Sequence, residues 1–212
     1  MTPYYQDDAV TIYHGDCREI LPTLDSVDLV LTDPPYGMKY QPDKSHPTNT
    51  RRSTREWEPI YGDDSPFGPA PWLVFSAAIL WGANWYSSRL PASGGWLVFN
   101  KRGDGMPSTN DFGDCELAWT NVMGAPRLFS HMWHGGARSY SEPVLHPSQK
   151  PVALMRWCLG FVPHATMTLD PFMGSGTTLR AAKDLGRKAI GIEIEEHYCE
   201  IAADRMAQMV LV

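Results

Sequence analysis

Short apolar runs bounded by turn-forming residues recur along the chain, and their spacing separates strands from helices. Residues 9–13, 27–31, 94–101, 166–170 and 188–193 are brief runs rich in branched and aromatic side chains, and they predict strands. The last two bracket a helical stretch at 179–185 that Gly186 ends, so together they form a β-α-β unit. Helical spacing also appears over 17–24, with Ile20, Leu21 and Leu24 inward, over 151–160, and over 195–209. The apolar segment from Trp72 to Trp85 is expected to be part helix, with a strand possible at 78–82. Residues 116–119 and 127–133 predict short strands in an antiparallel edge, followed by a flexible connection at 135–140. Residues 38–70 carry no hydrophobic period and many turn formers.

At 212 residues the chain has the size of one domain and can bury a full α/β core. Its net charge of −6 gives no overall basic field, so contact with a polyanion must rest on a local patch. One such patch exists: Lys39, Lys44, Arg51, Arg52 and Arg55 face Asp43 alone over 39–55, with Thr, Ser and Asn interleaved. That composition suits a loop contacting phosphates. The four cysteines form no Cys-x-x-Cys pair, which argues against a disulfide framework or a zinc site. His131 and His134 sit in strand-like sequence whose period of two points them to opposite faces, with no acidic or cysteine partner spaced to complete a metal site. No apolar run approaches the length of a membrane span and no secretory signal is seen, so a reducing cytoplasm and no membrane partner are the expectation.

The chemistry concentrates in two places. After the 27–31 strand comes Thr32-Asp33-Pro34-Pro35-Tyr36-Gly37, where two prolines fix an extended path and Gly37 lets the chain turn away. A carboxylate, a carbonyl and an aromatic ring are thereby held together at the mouth of a sheet. After the 166–170 strand comes a glycine-rich turn, Pro171 to Thr178, and the following strand ends in Glu193. The turn lacks the full dinucleotide fingerprint, and no lysine follows in phosphate-loop fashion. A nucleoside without a phosphate chain remains, a description that S-adenosylmethionine fits, with Asp170 placed to pair with its α-amino group and Glu193 to accept from the ribose hydroxyls.

Four motifs in this order, TDPPYG at 32–37, HPSQKP at 146–151, LDPFMGSGTT at 169–178 and GIEIEEHY at 191–198, make the sequence resemble the DNA amino-methyltransferases of the β arrangement. The resemblance implies an α/β, Rossmann-like methyltransferase fold: a mostly parallel seven-stranded sheet with one antiparallel edge strand and helices on both faces. It implies S-adenosyl-L-methionine as cofactor, DNA as partner, and a homodimer. Asp16 and Cys17 would lie beside the cofactor's adenine, and Gly174, Ser175, Gly176 and Thr177 would form its loop. Lys150 could reach a carboxylate or hydroxyl, and Phe172 could pack on the cofactor or equally belong to the core. Asp33 and the Pro34 carbonyl would accept from the target amine while Tyr36 stacks on the flipped base, which is worth roughly 1–3 kcal/mol. The aspartate at 33 favours adenine N6; cytosine N4, or a catalytically inactive nucleic-acid-binding relative, are the alternatives. Only about a dozen residues lie between His134 and Leu145, too few for a separate target-recognition domain, so a single catalytic domain is expected.

Overall fold

The structure is a computed structural model and describes residues 1–40, 57–102, 113–134, 137–138 and 142–208. One sheet organises it. Its strands in chain order are β1 (Tyr5–Gln6), β2 (Val10–His14), β3 (Leu29–Thr32), β4 (Ala78–Trp81), β5 (Trp96–Asn100), β6 (Cys115–Thr120) and β7 (Arg127–Ser130). A separate two-stranded ribbon, β8 (Trp133–His134) and β9 (Ala137–Arg138), precedes the last two sheet strands, β10 (Met167–Asp170) and β11 (Lys188–Glu193). The sheet order is β1-β2-β11-β10-β3-β4-β6-β5-β7.

The expected mostly parallel α/β arrangement is what forms, with nine strands in the main sheet among the described residues rather than seven. β2, β11, β10, β3 and β4 run parallel, so their carboxyl ends share one edge of the sheet. The reversed strand is internal: β6 lies between β4 and β5 and pairs antiparallel with both. β7, expected in an antiparallel edge, pairs parallel with β5. Two-residue β1 caps the opposite edge in antiparallel fashion.

The alternation of side chains across the pleat splits the core in two. Leu29, Leu31, Ile79 and Trp81 face a layer built by α2 (Val152–Leu159), α3 (Thr177–Asp184) and α4 (Glu196–Ala207). Val30, Leu80, Leu169 and Ile192 face the other layer, with α1 (Cys17–Ile20) and the turns around Phe67, Trp72 and Tyr86. β3 and β4 are buried at every position, which is why they read as unbroken apolar runs.

That same feature misleads over 71–91. Strand β4 forms there, but the helix expected beside it does not: three single 3₁₀ turns, at Ala70–Trp72, Ala83–Trp85 and Ser87–Arg89, take its place. A short apolar run does not distinguish a buried strand from a buried helix, and Gly82 at φ +72° ends the strand in a turn that no helix could continue. Among the described residues no helix is long and apolar enough to cross a membrane.

Candidate active site

The order of the sheet reverses direction between β10 and β3: from β10 the chain moves outward to β11, and from β3 it moves the other way to β4. The crevice at the carboxyl ends of two such strands is where open α/β sheets bind ligands. Here a cavity of about 740 Å3 opens at that point. It is lined by Asp33, Pro34 and Tyr36 after β3, by Asp170, Phe172, Gly174, Ser175 and Thr177 after β10, and by Glu193 after β11. Asp16 and Cys17 after β2, and Lys150, line it as well. Tyr36 and Gly174 therefore share one cleft although 138 positions separate the strand residues beneath them, Thr32 and Asp170.

The two acidic strand ends on the glycine-turn side are shaped for a ligand without phosphates. Glu193 accepts from the amides of Gly174, Ile194 and Glu195 at 2.8–2.9 Å. Burial nevertheless outweighs these bonds and lifts its carboxyl to about 7. Burial likewise lifts Asp170 to about 6, against hydrogen bonds from Thr178, Thr32 and the Phe172 amide. No phosphate-binding lysine stands at the turn, and Gly174 at φ +49° brings backbone close to the cavity beside the His146 ring. Two acidic groups at the strand ends, a bare turn and an apolar wall from Phe172 fit a cationic nucleoside such as S-adenosylmethionine and oppose a nucleotide. Phe172 lines the cavity and packs edge-on against Phe67 and Trp72.

One predicted cofactor residue is placed otherwise than the motifs suggest. Gly176 is outside the cavity lining; at φ +77° a Cβ there would stand 3.0 Å from Ala202, so its role is to let α4 approach. Asp16 lines the cavity but caps α1 and is paired with the exposed Arg18. Lys39 does not line the cavity, though it lies between Met38 and Tyr40, which do. Lys44, Arg51, Arg52 and Arg55 lie outside the described residues, as does much of the connection expected at 135–140.

The HPSQKP stretch acts mainly on the protein itself. Gln149 is buried; its Oε1 accepts from Ser175 Oγ at 3.1 Å and its Nε2 donates to Glu142 at 3.1 Å. Glu142 in turn pairs with Arg205 at 2.6 Å, which donates to the Ser175 carbonyl and to Thr177 Oγ1. The glycine turn is thus fixed from behind. Lys150 Nζ donates to Asp33 Oδ2 at 2.5 Å and contacts Glu116 at 2.9 Å, while Lys101 reaches the other oxygen of Glu116 at 2.9 Å. Burial pushes the Asp33 carboxyl up, against the pull of Lys150. Burial acts on Glu116 in the same way, but the two ammonium groups outweigh it and hold Glu116 near about 2.

The other Asp33 oxygen, Oδ1, is buried and has no hydrogen-bond partner among the described residues. An acceptor left in this state costs free energy unless a donor arrives. Tyr36 stands beside it, its ring lying on Gly82, where a Cβ would come within 2.4 Å, and stacked against the exposed Trp85 at 5.9 Å.

Two partners escaped the sequence reading. Asp63 accepts from the amides of Gly37, Met38 and Tyr40 at 2.8–3.0 Å and so clamps the backbone that leaves the TDPPYG turn. Its position in a segment without hydrophobic period gave no signal. Glu116 begins a strand and reads as an ordinary strand residue; only the reversed direction of β6, which brings its first residues to the carboxyl edge, reveals it.

Comparison with known proteins agrees with this geometry. A family model described as DNA methylase, for N6 and N4 methyltransferases, matches residues 95–204, just over half of the chain. The Type II methyltransferase M.ScaI of Streptomyces caespitosus is 27% identical over 261 residues, covering 96% of this chain and 83% of that protein. The Type II methyltransferase M2.DpnII of Streptococcus pneumoniae is 48% identical over 62 residues, 29% of this chain and 23% of that one. Among solved structures, the M1.HpyAVI–SAM complex aligns with a TM-score of 0.57 at 24% identity, covering 94% of this chain and all of that one. The PvuII DNA methyltransferase, described as cytosine-N4-specific, aligns at 0.65 with 15% identity over 99% of this chain and 90% of that one.

Proposed function

Since this chain belongs to the N6/N4 DNA methylase family, a DNA methyltransferase that uses S-adenosyl-L-methionine, we propose that its target is the N6 amine of an adenine flipped out of the DNA stack. When bound, the cofactor supplies a methyl group already activated on a sulfonium. Asp170 would hold its α-amino group, Glu193 its ribose hydroxyls, and Asp16 and the Cys17 amide its adenine edge.

The observation that carries the reading is the orphaned Oδ1 of Asp33. An exocyclic amine is a poor nucleophile because its lone pair is spread into the ring. Two acceptors aimed at its N–H bonds favour a tetrahedral nitrogen whose lone pair is free. Asp33 Oδ1 and the Pro34 carbonyl are those acceptors, and Asp33 is also the first acceptor for the proton that the methylated nitrogen sheds. The carboxylate is anchored through Oδ2 alone, which leaves Oδ1 for the substrate. Tyr36, backed by Gly82 and Trp85, offers the ring on which the extruded base stacks. The chain acts as a single catalytic domain in this proposal, with the 38–70 stretch contacting phosphates near the target base. Its basic sequence supports that contact, and Met38, Tyr40 and Ile60 of the same stretch line the cavity.

Plasmid DNA methylated by the purified protein, digested to nucleosides and weighed, tests the choice of base. N6-methyladenine is expected; N4-methylcytosine without it would move the assignment to cytosine, and binding without methyl incorporation would favour a non-catalytic relative.

A further inference from the structure

Four charged side chains of alternating sign stand in a row of ion pairs, Asp33, Lys150, Glu116 and Lys101, and Asp33, Lys150 and Lys101 line the cavity. Lys150 is 6% exposed, and Glu116 at 25% still has a partner on each oxygen. The family motifs account for Asp33 and Lys150 but not for Glu116, which comes from the start of the reversed strand β6, or for Lys101, which follows β5.

The chain of contacts has a chemical consequence for Asp33. An ammonium paired with one carboxylate alone draws charge strongly from it and makes it a weaker acceptor. Lys150 instead divides its charge between Asp33 and Glu116, and Glu116 is neutralised in turn by Lys101. The Asp33 carboxylate is thereby fixed in orientation through Oδ2 while its free Oδ1 keeps its basicity. We propose that Glu116 is a positioning residue for methyl transfer, sharing the Lys150 ammonium with Asp33 so that Asp33 is held in place yet remains a strong acceptor for the target amine. The inference rests on the reading of Asp33 given above and adds to it a residue that never touches the substrate.

Other titratable groups face this cluster. The phenols of Tyr36 and Tyr86 are pushed up by burial and stay protonated, and His146, beside Lys150, is lowered by burial to about 4 and stays neutral. Asp170, at about 6, faces Asp33 from β10 and is the group whose titration must be told apart from it.

The test compares wild type, Glu116→Gln, Glu116→Asp and Lys101→Met. Carboxyl-carbon NMR titration of the cofactor-free protein follows Asp33, with its signal assigned by Asp33→Asn and that of Asp170 by Asp170→Asn. Steady-state methylation of plasmid DNA gives kcat and both KM values. Glu116→Gln should move the Asp33 titration down by about half a pH unit or more, because Lys150 then pairs with Asp33 alone. It should lower kcat about tenfold while the cofactor KM stays within about twofold. Glu116→Asp should restore the titration point. Lys101→Met should move it up, since Glu116 then binds Lys150 more strongly; a merely structural role would move both variants the same way or neither. An unmoved Asp33 titration in folded Glu116→Gln, or an unchanged kcat, overturns the proposal. Should Glu116→Gln fail to fold, the upward shift in Lys101→Met decides in its place. The titration needs no turnover, so it reports on Glu116 separately from whether adenine is the base methylated.

Discussion

Thr32 Oγ1 donates a 2.7 Å hydrogen bond to Asp170 Oδ1, across the neighbouring strands β3 and β10. Both groups are buried, and each is followed directly by the turn that carries one half of the site. This bond ties the strand residue before Asp33, the proposed amine acceptor, to Asp170, the proposed partner of the cofactor. Positioning of this kind supplies rate through geometry rather than through added chemistry.

Asp33→Ala should separate the two halves. Lys150 keeps Glu116 as a partner when Asp33 is removed, so the fold is expected to survive. Methyl transfer should fall at least about a hundredfold, while cofactor affinity measured by calorimetry stays within a few-fold. Substantial turnover in the variant would remove Asp33 from the chemistry.

Cofactor affinity should depend on pH in a stated direction. Burial raises Glu193 to about 7 and Asp170 to about 6, and the ionised forms are the ones that accept from hydroxyls and pair with an ammonium. Binding should therefore release protons near pH 6.5 and tighten by about tenfold between pH 6 and pH 8. For the cofactor-free fold the same raised groups act oppositely, costing stability as pH climbs from about 4 to about 7, because the folded state holds those protons more tightly. Calorimetry in buffers of different ionisation enthalpy measures the release; affinity flat across this range would rule out carboxylate capture.

Gly82→Ala should disable Tyr36 without touching it in sequence. The new methyl group would come within 2.4 Å of the tyrosine ring, at a residue whose φ is +72°. The backbone alone costs about 1 kcal/mol for a non-glycine residue there. Transfer should drop about tenfold or more with cofactor affinity retained. Emission of Trp85, isolated by comparison with Trp85→Phe, should report the displaced ring through their stacking.

Asp63→Ala should loosen the backbone beyond the same turn. Three amides lose their acceptor at once, at Gly37, Met38 and Tyr40. A loss of about 2–4 kcal/mol in denaturant unfolding is expected, with a larger effect on the KM for DNA than on the KM for cofactor. Unchanged unfolding would show that the clamp is dispensable.

How far the chain could be read without coordinates follows the range of the interactions. β2, β3, β5, β10 and β11, with α2, α3 and α4, are local patterns of apolar spacing, and they appear within a residue or two of their expected bounds. The cavity residues are legible because each motif packs its chemistry into a few consecutive positions after a strand. Glu116 and Asp63 are not, because their partners lie far off in the chain: Lys150 for one, the 37–40 amides for the other. Lys150 and Gln149 show an intermediate case. Their reach for carboxylates and hydroxyls is evident from their side chains, yet the groups they find belong to Asp33, Glu116, Glu142 and Ser175 of the protein itself.

The separation of Asp33 from Lys150 has a bearing on biosynthesis. The ribosome delivers the aspartate early, and 117 positions pass before the ammonium that anchors it is made. Until then the nascent polypeptide can lay β3 beside β4, but the acidic side chain lacks its ion-pair partner Lys150. A message that stops short of residue 150 would yield a sheet without β10 and β11, which join β2 to β3, and without the charge that settles Asp33.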